Sequence, residues 1–164
     1  YVAEKGKGAS LNGKTIQVSQ SDTFKQSLFG IVYWKSAPFN FSVMTEFLRN
    51  EQAKIMVVAS IAYMAALVAS GEFVATLFPG DRPHDSAALK IIIEEAGGRV
   101  TDVYGNEQRY DRPIHGHIAS NGSRSRSALS AGSWSIRGDS DDLCFGIPSQ
   151  SSSWRYLQRR SFCA

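Results

Sequence analysis

Short apolar runs alternate with segments of helical periodicity along most of the chain, and this alternation limits the folds that the chain can adopt. The candidate strands are residues 27–33, 54–59, 73–78, 99–103 and 117–120, and the candidate helices are residues 40–51, 61–69 and 85–96. Short connections separate them, as in domains in which helices pack on a sheet. We therefore predict an α/β fold, a layered sandwich of sheet and helices.

The ends of these elements carry local signals. Ser60 can cap the second helix, which is rich in small residues and stops at Gly71, so we expect close packing around it. The third helix is apolar nearly all round, which predicts burial in a larger structure. Ahead of the first candidate strand, Asn12-Gly13 is a strong hairpin signal between two extended segments.

Composition and charge narrow the functional classes. Of the 164 residues, 43% are hydrophobic and 20% are charged, the balance of an ordinary globular protein. The net charge of +3 comes from residues 123–164, which contain six arginines and three aspartates. Residues 1–122, called the body below, are therefore neutral overall and lack the positive charge that would attract nucleic acid. No apolar run approaches the ~18 residues that cross a bilayer. Tyr1 begins neither a signal peptide nor a natural start, so we expect a piece of a longer protein.

The end of the chain differs from the rest. Residues 123–127 alternate Ser and Arg, residues 149–153 are Ser-rich, and no period is sustained beyond residue 122. We predict that residues 123–164 are disordered or foreign to the fold, as a shifted reading frame would make them. Cys144 and Cys163, the two cysteines, both lie in this tail, so the body has no disulfide framework, which suits a reducing cytoplasm.

Most of the candidate chemistry lies in and after the third helix. Asp85 stands at the predicted start of this helix, where a carboxylate accepts backbone N–H bonds, so ordinary capping is the first interpretation. Glu94 and Glu95 are adjacent and point to different sides of the helix, which excludes a facing carboxylate pair and predicts solvent-facing charges. Gly97-Gly98 is predicted to reverse the chain, since no helix follows it as in a phosphate loop.

Two motifs in this region resemble a known family. Residues 84–88 (HDSAA), followed by residues 94–102 (EEAGGRVTD), are similar to the C-terminal signature of the inositol monophosphatase family. Three further matches keep the family's order. They are residues 4–13, which resemble its G-x-G-A hairpin, residues 60–71, which resemble its small-residue helix, and residues 118–121, which resemble its last core strand.

The resemblance covers residues 1–122 and implies the C-terminal half of that family's fold. It divides the chain into residues 1–25, a hairpin remnant of an N-terminal sheet, residues 26–122, a C-terminal α/β domain, and the irregular tail of residues 123–164. The opening hairpin would then normally pair with strands that this chain does not contain.

The resemblance also implies roles for individual residues. Asp85 takes the position of the Asp that begins the penultimate core helix and binds catalytic Mg²⁺. Ser60 and Ile61 lie where backbone groups face the sugar or inositol ring, so they are the candidate substrate-binding residues. This chain departs from the family pattern at two positions that bear on substrate specificity. His84 replaces the usual Trp before the metal ligand, and Phe78 replaces the acidic residue that contacts inositol in typical members. The second departure argues against inositol phosphate itself as the substrate.

A further segment of the family pattern is missing. Members bind two or three Mg²⁺ ions through a Glu and a D-P-x-D-G-T segment that precedes the G-x-G-A hairpin, and this chain contains no such segment. Mg²⁺ requires near-octahedral oxygen coordination, so Asp85 alone is not expected to hold it usefully. We therefore expect the isolated chain to be inactive, and we assign no residue of it to the chemical step.

The resemblance thus implies a fragment of a Mg²⁺-dependent phosphomonoesterase that hydrolyses a small sugar, inositol or nucleotide phosphate by metal-activated water. We expect it to bind a small phosphorylated metabolite and to bind neither nucleic acid nor a membrane. Its expected location is the cytoplasm. A homodimer of the full-length parent is left open.

Other hypotheses stay open. A non-catalytic binding or interaction module that kept half of the scaffold would also lack the missing ligands. His115 and His117 would share one face of a strand as a metal pair, although no third ligand is evident. Trp34, Phe39 and Phe41 could stack on bases, but packing explains them in a neutral body. The Arg/Ser alternation of the tail is too short to argue for RNA binding.

Overall fold

The computed structural model describes residues 1–34 and 42–122. Within these ranges eight strands and three helices follow one another. They are β1 (Val2–Glu4), β2 (Gly8–Leu11), β3 (Lys14–Ile16), β4 (Leu28–Ile31), α1 (Ser42–Asn50), β5 (Lys54–Val57), α2 (Ile61–Ala69), β6 (Ala75–Phe78), α3 (Pro83–Glu95), β7 (Arg99–Asp102) and β8 (His117–Ser120). The predicted α/β fold class is confirmed. Phe39, Phe41 and the tail of residues 123–164 lie outside the described residues.

The first three strands form a small antiparallel sheet in the order β1-β2-β3, called the small sheet below. Asn12 and Gly13 both adopt positive φ values, 51° and 78°, between β2 and β3. Positive φ at both central residues is the geometry of the type I′ turn, which Asn-Gly favours because its twist matches that of paired strands. The predicted hairpin is therefore confirmed.

The other strands form a mixed sheet in the order β5-β4-β6-β8-β7, called the main sheet below. β4 lies between β5 and β6 and is parallel to both, with Gly30 paired to Met56 on one side and to Thr76 on the other. β8 runs antiparallel to its neighbours β6 and β7. The chain leaves β4 through α1 to β5 and then returns through α2 to β6, so the carboxyl ends of three parallel strands meet at one edge. Ligands bind preferentially at such a switch point in open α/β sheets.

Two apolar clusters cover the two faces of the main sheet. On one face, α1 contributes Met44 and Leu48, which pack with Phe29 and Ile31 of β4. On the other face, the cluster joins α2 and α3 to alternate residues of the strands and to Ala9 of the small sheet. The two-residue period of a strand sends neighbouring side chains to opposite faces, which is why one strand supplies both clusters. The layers are therefore α1, the main sheet, α2 with α3, and the small sheet.

α2 matches its prediction at both ends. Ser60 is the N-cap, and its hydroxyl accepts a hydrogen bond of 3.3 Å from the backbone N–H of Tyr63. The chain leaves the helix through Ser70 and Gly71, and Gly71 has φ +82°. The predicted close packing is also confirmed, because a Cβ added at Gly30 would lie 3.0 Å from the sulfur of Met64.

α3 begins two residues earlier than predicted and is less buried than its apolar sequence suggested. Pro83 occupies the first turn, where its missing N–H costs no helical hydrogen bond. Within α3, Ser86 and Ile93 are buried, whereas Ala88 and Ile91 are exposed. Part of the apolar surface of this helix is therefore open to solvent, while Leu89 and Ile92 are partly buried against the core.

Candidate functional site

The candidate site lies at the carboxyl edge of the parallel strands, which we call the open edge. α2 begins just after β5 and α3 begins just after β6, so both helix N-termini lie at this edge. A Cβ added at Gly80, in the loop after β6, would lie 3.8 Å from the side chain of Ile61, which places that loop beside the start of α2. The carbonyl of Gly80 also accepts a hydrogen bond of 3.0 Å from the N–H of Gly116. The fold therefore brings the predicted metal ligand and the predicted substrate contacts to the same edge.

Ser60 and Ile61 are half-buried at the first turn of α2. The Ser60 hydroxyl is engaged as a cap, and its carbonyl accepts a hydrogen bond of 3.1 Å from the N–H of Met64. The first turn of a helix presents backbone N–H groups that have no intrahelical acceptor, at the positive end of the helix dipole. This position therefore offers backbone N–H donors to a polar or anionic ligand.

Asp85 is the third residue of α3 and not its cap. The N-cap is Arg82, whose side chain makes no capping bond, and the Asp85 N–H donates to the Arg82 carbonyl at 3.3 Å. The interpretation of Asp85 as an ordinary cap is therefore wrong, because Pro83 starts the helix earlier. The Asp85 side chain is 44% exposed, and its Oδ1 atom lies 3.3 Å from Nε2 of His84. Its carboxylate is thus open to solvent at the positive end of a helix, where negative charge is favoured.

The described residues do not by themselves form a metal site. No group of three or more His, Cys, Asp or Glu residues that could hold a metal ion occurs in residues 1–34 and 42–122. An exposed carboxylate is a suitable ligand for a hard divalent cation, but Mg²⁺ requires several oxygen ligands in fixed geometry. The described residues therefore place one exposed carboxylate, that of Asp85, at this edge without a group of three side chains that could hold a metal ion.

Phe78 and His117 form a buried pair beneath the open edge. They lie opposite each other in β6 and β8, both are nearly inaccessible to solvent, and their ring centroids are 4.6 Å apart. Burial lowers the pKa of His117 to about 4, so its imidazole is neutral at physiological pH. Its Nδ1 atom has no hydrogen-bond partner within the described part of the chain. Phe78 therefore presents no polar group toward a ligand.

The shared strand face on which a metal pair of His115 and His117 would depend does not exist in the structure. β8 begins at His117, so His115 precedes the strand and the period of two residues does not apply to it. His115 is exposed, whereas His117 is buried against Phe78. Trp34, which packing was expected to explain, is 38% exposed after the end of β4.

At the other end of α3, the two glutamates differ. Glu94 lies 3.8 Å from the ammonium of Lys90, whereas both carboxylate oxygens of Glu95 accept backbone hydrogen bonds, from Gly6 at 2.8 Å and from Gly8 at 2.9 Å. Glu94 is exposed as predicted, whereas Glu95 is only partly exposed and is an inter-element contact rather than a free charge. The sequence analysis missed this contact; the G-x-G turn, which leaves backbone N–H groups unpaired, was the available signal.

Gly97 and Gly98 reverse the chain between α3 and β7, as predicted. Gly97 has φ +87°, and the N–H of Gly98 donates to the Ile93 carbonyl at 2.8 Å. No helix in the described residues is long and apolar enough to cross a membrane.

Comparison with known proteins agrees with these observations. The model of the inositol monophosphatase family matches residues 1–136. The chain is 34% identical over 113 residues to a protein of Methanocaldococcus jannaschii named fructose-1,6-bisphosphatase/inositol-1-monophosphatase, a match that covers 68% of this chain and 42% of the relative. It is 28% identical over 138 residues to the Nus factor SuhB of Pseudomonas aeruginosa, covering 79% and 48% of the two chains.

Solved structures give the same result. The inositol monophosphatase from Anabaena (Nostoc) sp. PCC 7120 aligns with a TM-score of 0.69 at 26% identity, over 79% of this chain and 53% of that one. An IMPase from Thermotoga maritima aligns with a TM-score of 0.68 at 29% identity, over 79% and 48% of the two chains.

The chain thus spans less than half the length of the two curated relatives described above. The family match includes the G-x-G turn, α2 and the whole of α3, and the aligned structures share the layered arrangement of sheets and helices. The chain belongs to the inositol monophosphatase family.

Proposed function

We propose that this chain is part of a Mg²⁺-dependent phosphomonoesterase and supplies one wall of its active site. The observation that carries the proposal is the position of Asp85: its carboxylate is exposed in the first turn of α3, at the edge where α2 also begins. The names of the relatives support phosphatase chemistry, since they include fructose-1,6-bisphosphatase/inositol-1-monophosphatase and a bifunctional NADP phosphatase/NAD kinase. The proposed cellular location is the cytoplasm.

In this proposal Asp85 provides a carboxylate oxygen to the metal. Mg²⁺ held in part by Asp85 would supply activation of a water molecule and stabilisation of charge on the phosphate oxygens. The Asp85 carboxylate lies at the positive end of the α3 dipole, and its side chain is 44% exposed beside His84. The other ligands come from a part of the protein outside this chain, so the isolated chain is inactive.

Ser60 and Ile61 orient the substrate through backbone groups at the start of α2. The loop at Gly80 lies beside Ile61 and leaves room there, because nothing lies closer than 3.8 Å to an added Cβ. Phe78 is buried against His117, so the wall above β6 lacks the carboxylate that would bind inositol hydroxyls. This supports a small sugar or nucleotide phosphate over inositol monophosphate as the substrate.

The test is phosphate release by the full-length parent protein from a panel of phosphate esters, with and without Mg²⁺. The panel contains inositol monophosphate, fructose 1,6-bisphosphate, histidinol phosphate and a 3′-phosphorylated adenosine nucleotide. We expect Mg²⁺-dependent turnover of at least one ester, and its loss in the variant Asp85→Asn. Asp22→Asn is the matched control, because Asp22 is exposed in the loop before β4, at the opposite edge of the main sheet. Absence of turnover on the whole panel, or full activity of Asp85→Asn, would contradict the proposal.

A second candidate function is a non-catalytic binding module. It is favoured by the incomplete set of metal ligands in the described residues. The DNA upstream of the Tyr1 codon separates the two candidates: an in-frame D-P-x-D-G-T segment supports the enzyme, and a start codon close to Tyr1 supports the module.

A further inference from the structure

The turn between β1 and β2 encloses the carboxylate of Glu95. Oε1 accepts the N–H of Gly6 at 2.8 Å, and Oε2 accepts the N–H of Gly8 at 2.9 Å. Gly6 and Gly8 have φ values of +77° and +84°, a backbone conformation that side-chain-bearing residues rarely adopt. Successive N–H groups that converge in this way form a concave site for an anion. The two glycines therefore let one turn bind both oxygens of a single side chain.

The charges around Glu95 favour its ionised form. The N–H groups of Gly6 and Gly8 lower the pKa of Glu95 most, and the N–H of Lys7 and the charge of Lys5 lower it further. The charged groups on both sides are Lys5, the Glu4–Lys7 ion pair with a separation of 2.7 Å, and Glu94, which turns toward Lys90. The contact is thus a pair of charge-assisted hydrogen bonds at neutral pH.

Apolar contacts alone do not define how the small sheet sits on α3. Ala3, Ala9 and Ile16 pack against the cluster that contains Ile93. These side chains are small or only partly buried, and hydrophobic contact has no preferred direction, so they permit the sheet to slide or rotate. Two directed hydrogen bonds accepted by one carboxylate fix both the distance and the register. Glu95 ends the helix whose first turn holds Asp85, about 15 Å away at a rise of ~1.5 Å per residue.

We propose that Glu95 is a positioning residue that fixes the small sheet on α3 and so keeps this sheet and Asp85 in one rigid unit. That Glu95 fixes the small sheet does not depend on the function proposed above. Its effect on catalysis through Asp85 rests on that function. Protonation of Glu95 at acid pH removes the charge from both hydrogen bonds and releases the turn.

The first experiment uses the whole 164-residue chain and requires no catalysis. Limited trypsin digestion measures cleavage after Lys5 and Lys7, the two basic residues of the turn, and hydrogen exchange measures the amides of Gly6 and Gly8. We expect Glu95→Gln to raise both rates by on the order of threefold to tenfold, because the neutral amide accepts only one of the two N–H groups. Circular dichroism confirms that the variant is folded.

Glu94→Gln is the matched control, since it changes the adjacent carboxylate without touching the turn. Unchanged rates in Glu95→Gln, or an equal increase in Glu94→Gln, would overturn the proposal. A second measurement records hydrogen exchange of the Gly6 and Gly8 amides in the wild type as a function of pH, corrected for the intrinsic exchange rates. Because the pKa of Glu95 is lowered, protection of Gly6 and Gly8 should persist through the ordinary carboxyl range and disappear only below it. Protection that is independent of pH down to unfolding would also overturn the proposal.

In the full-length parent, Glu95→Gln should lower kcat while leaving KM nearly unchanged, because the substrate contacts at Ser60 and Ile61 are remote from the turn. Glu94→Gln should leave both constants at the wild-type value. If the full-length parent had no phosphatase activity, the proposed function would be refuted. The digestion and exchange results would still test whether Glu95 fixes the small sheet. Equal kcat in Glu95→Gln and the wild type would refute the link to Asp85.

Discussion

The two ends of α3 are built in opposite ways. At the C-terminal end Glu95 binds two backbone N–H groups, the carbonyl of Ala96 accepts the N–H of Val18 at 3.0 Å, and Gly98 is enclosed on three sides. At the N-terminal end Arg82 makes no capping bond and Asp85 is nearly half exposed beside a single histidine. One end is fixed by packing, and the other leaves its polar groups available. The helix thus separates residues that stabilise the fold from residues that the fold leaves exposed to solvent.

The largest effect should come from adding one methyl group at the fixed end. A Cβ at Gly98 would lie 2.6 Å from the carbonyl oxygen of Ser120 and 2.8 Å from side-chain carbons of Ile93 and Val18. A backbone oxygen in a strand cannot move aside, so we expect Gly98→Ala to lower the free energy of unfolding by about 3 kcal/mol. Urea denaturation monitored by circular dichroism measures this change.

The same substitution at the open edge provides the control. A Cβ at Gly80 would meet its nearest neighbour, the side chain of Ile61, at 3.8 Å, which is ordinary van der Waals contact. We expect Gly80→Ala to change the stability by less than about 0.5 kcal/mol. Similar losses in the two variants would show that the open edge is packed as tightly as the fixed end.

The open edge has one buried group whose cost depends on pH. His117 has a pKa lowered to about 4 by burial, so the unfolded chain binds its proton more readily than the folded chain. Stability should therefore fall as the pH falls from ~6.5 to ~4, by up to about 2–3 kcal/mol. Above pH ~7 the group is neutral in both states and contributes no pH dependence.

Substitution of the two histidines near β8 tests this assignment. His117→Leu removes the titrating group and should flatten the dependence of stability on pH between ~4 and ~6.5. His115→Leu is the matched control, because His115 is exposed and should leave the slope unchanged. A steep slope that survives in His117→Leu would mean that other groups cause the acid destabilisation.

The elements around the candidate site could be predicted because their signals are local. The bounds of α2 could be predicted from Ser60 as its N-cap and Gly71 as its stop signal, because each residue acts on the backbone next to it. The exception is the start of α3, where Pro83 fits the first turn and moves the helix start away from Asp85. A chemically plausible cap at Asp85 was therefore displaced by a neighbour with a stronger positional preference.

The contacts that distinguish the two ends of α3 could not be predicted in this way. Glu95 and Gly6 are 89 positions apart, and helical periodicity carries no information about such a pair. His117 was placed by strand periodicity on a shared face with His115, but the strand does not extend to His115. Its burial against Phe78 depends on the pairing of β6 with β8, which is a property of the tertiary structure.

A smaller loss is expected at Asn121, which follows β8 on the fixed side. Its side-chain amide donates to the carbonyls of Ser19 and Ser21 at 2.9 and 2.8 Å, and the residue is buried. Asn121→Ala leaves both carbonyls without this donor, so we expect a loss of about 2 kcal/mol in urea denaturation. Asn106→Ala, which removes one exposed contact with Asp102 at 3.1 Å, should cost less than about 0.5 kcal/mol. Equal losses would show that burial does not decide the difference.

The smallest effect on stability should come from Asp85 itself. Its side chain is 44% exposed, and its carboxylate lies 3.3 Å from His84, whose side chain is 72% exposed. Solvent-exposed pairs of this kind contribute little, so Asp85→Asn should change the free energy of unfolding of the chain by less than about 0.5 kcal/mol.

The same change should have a large effect on catalysis by the full-length parent. Loss of a residue that only orients a metal ligand costs about 10- to 100-fold, so under the function proposed above the loss of Asp85 as a ligand should lower kcat/KM by at least about 100-fold. Raising the Mg²⁺ concentration should restore part of the loss, because the variant binds the metal more weakly rather than folding differently. A stability loss comparable to that of Gly98→Ala would show that Asp85 is a structural residue. The contrast between the two ends of α3 would then not mark an active site.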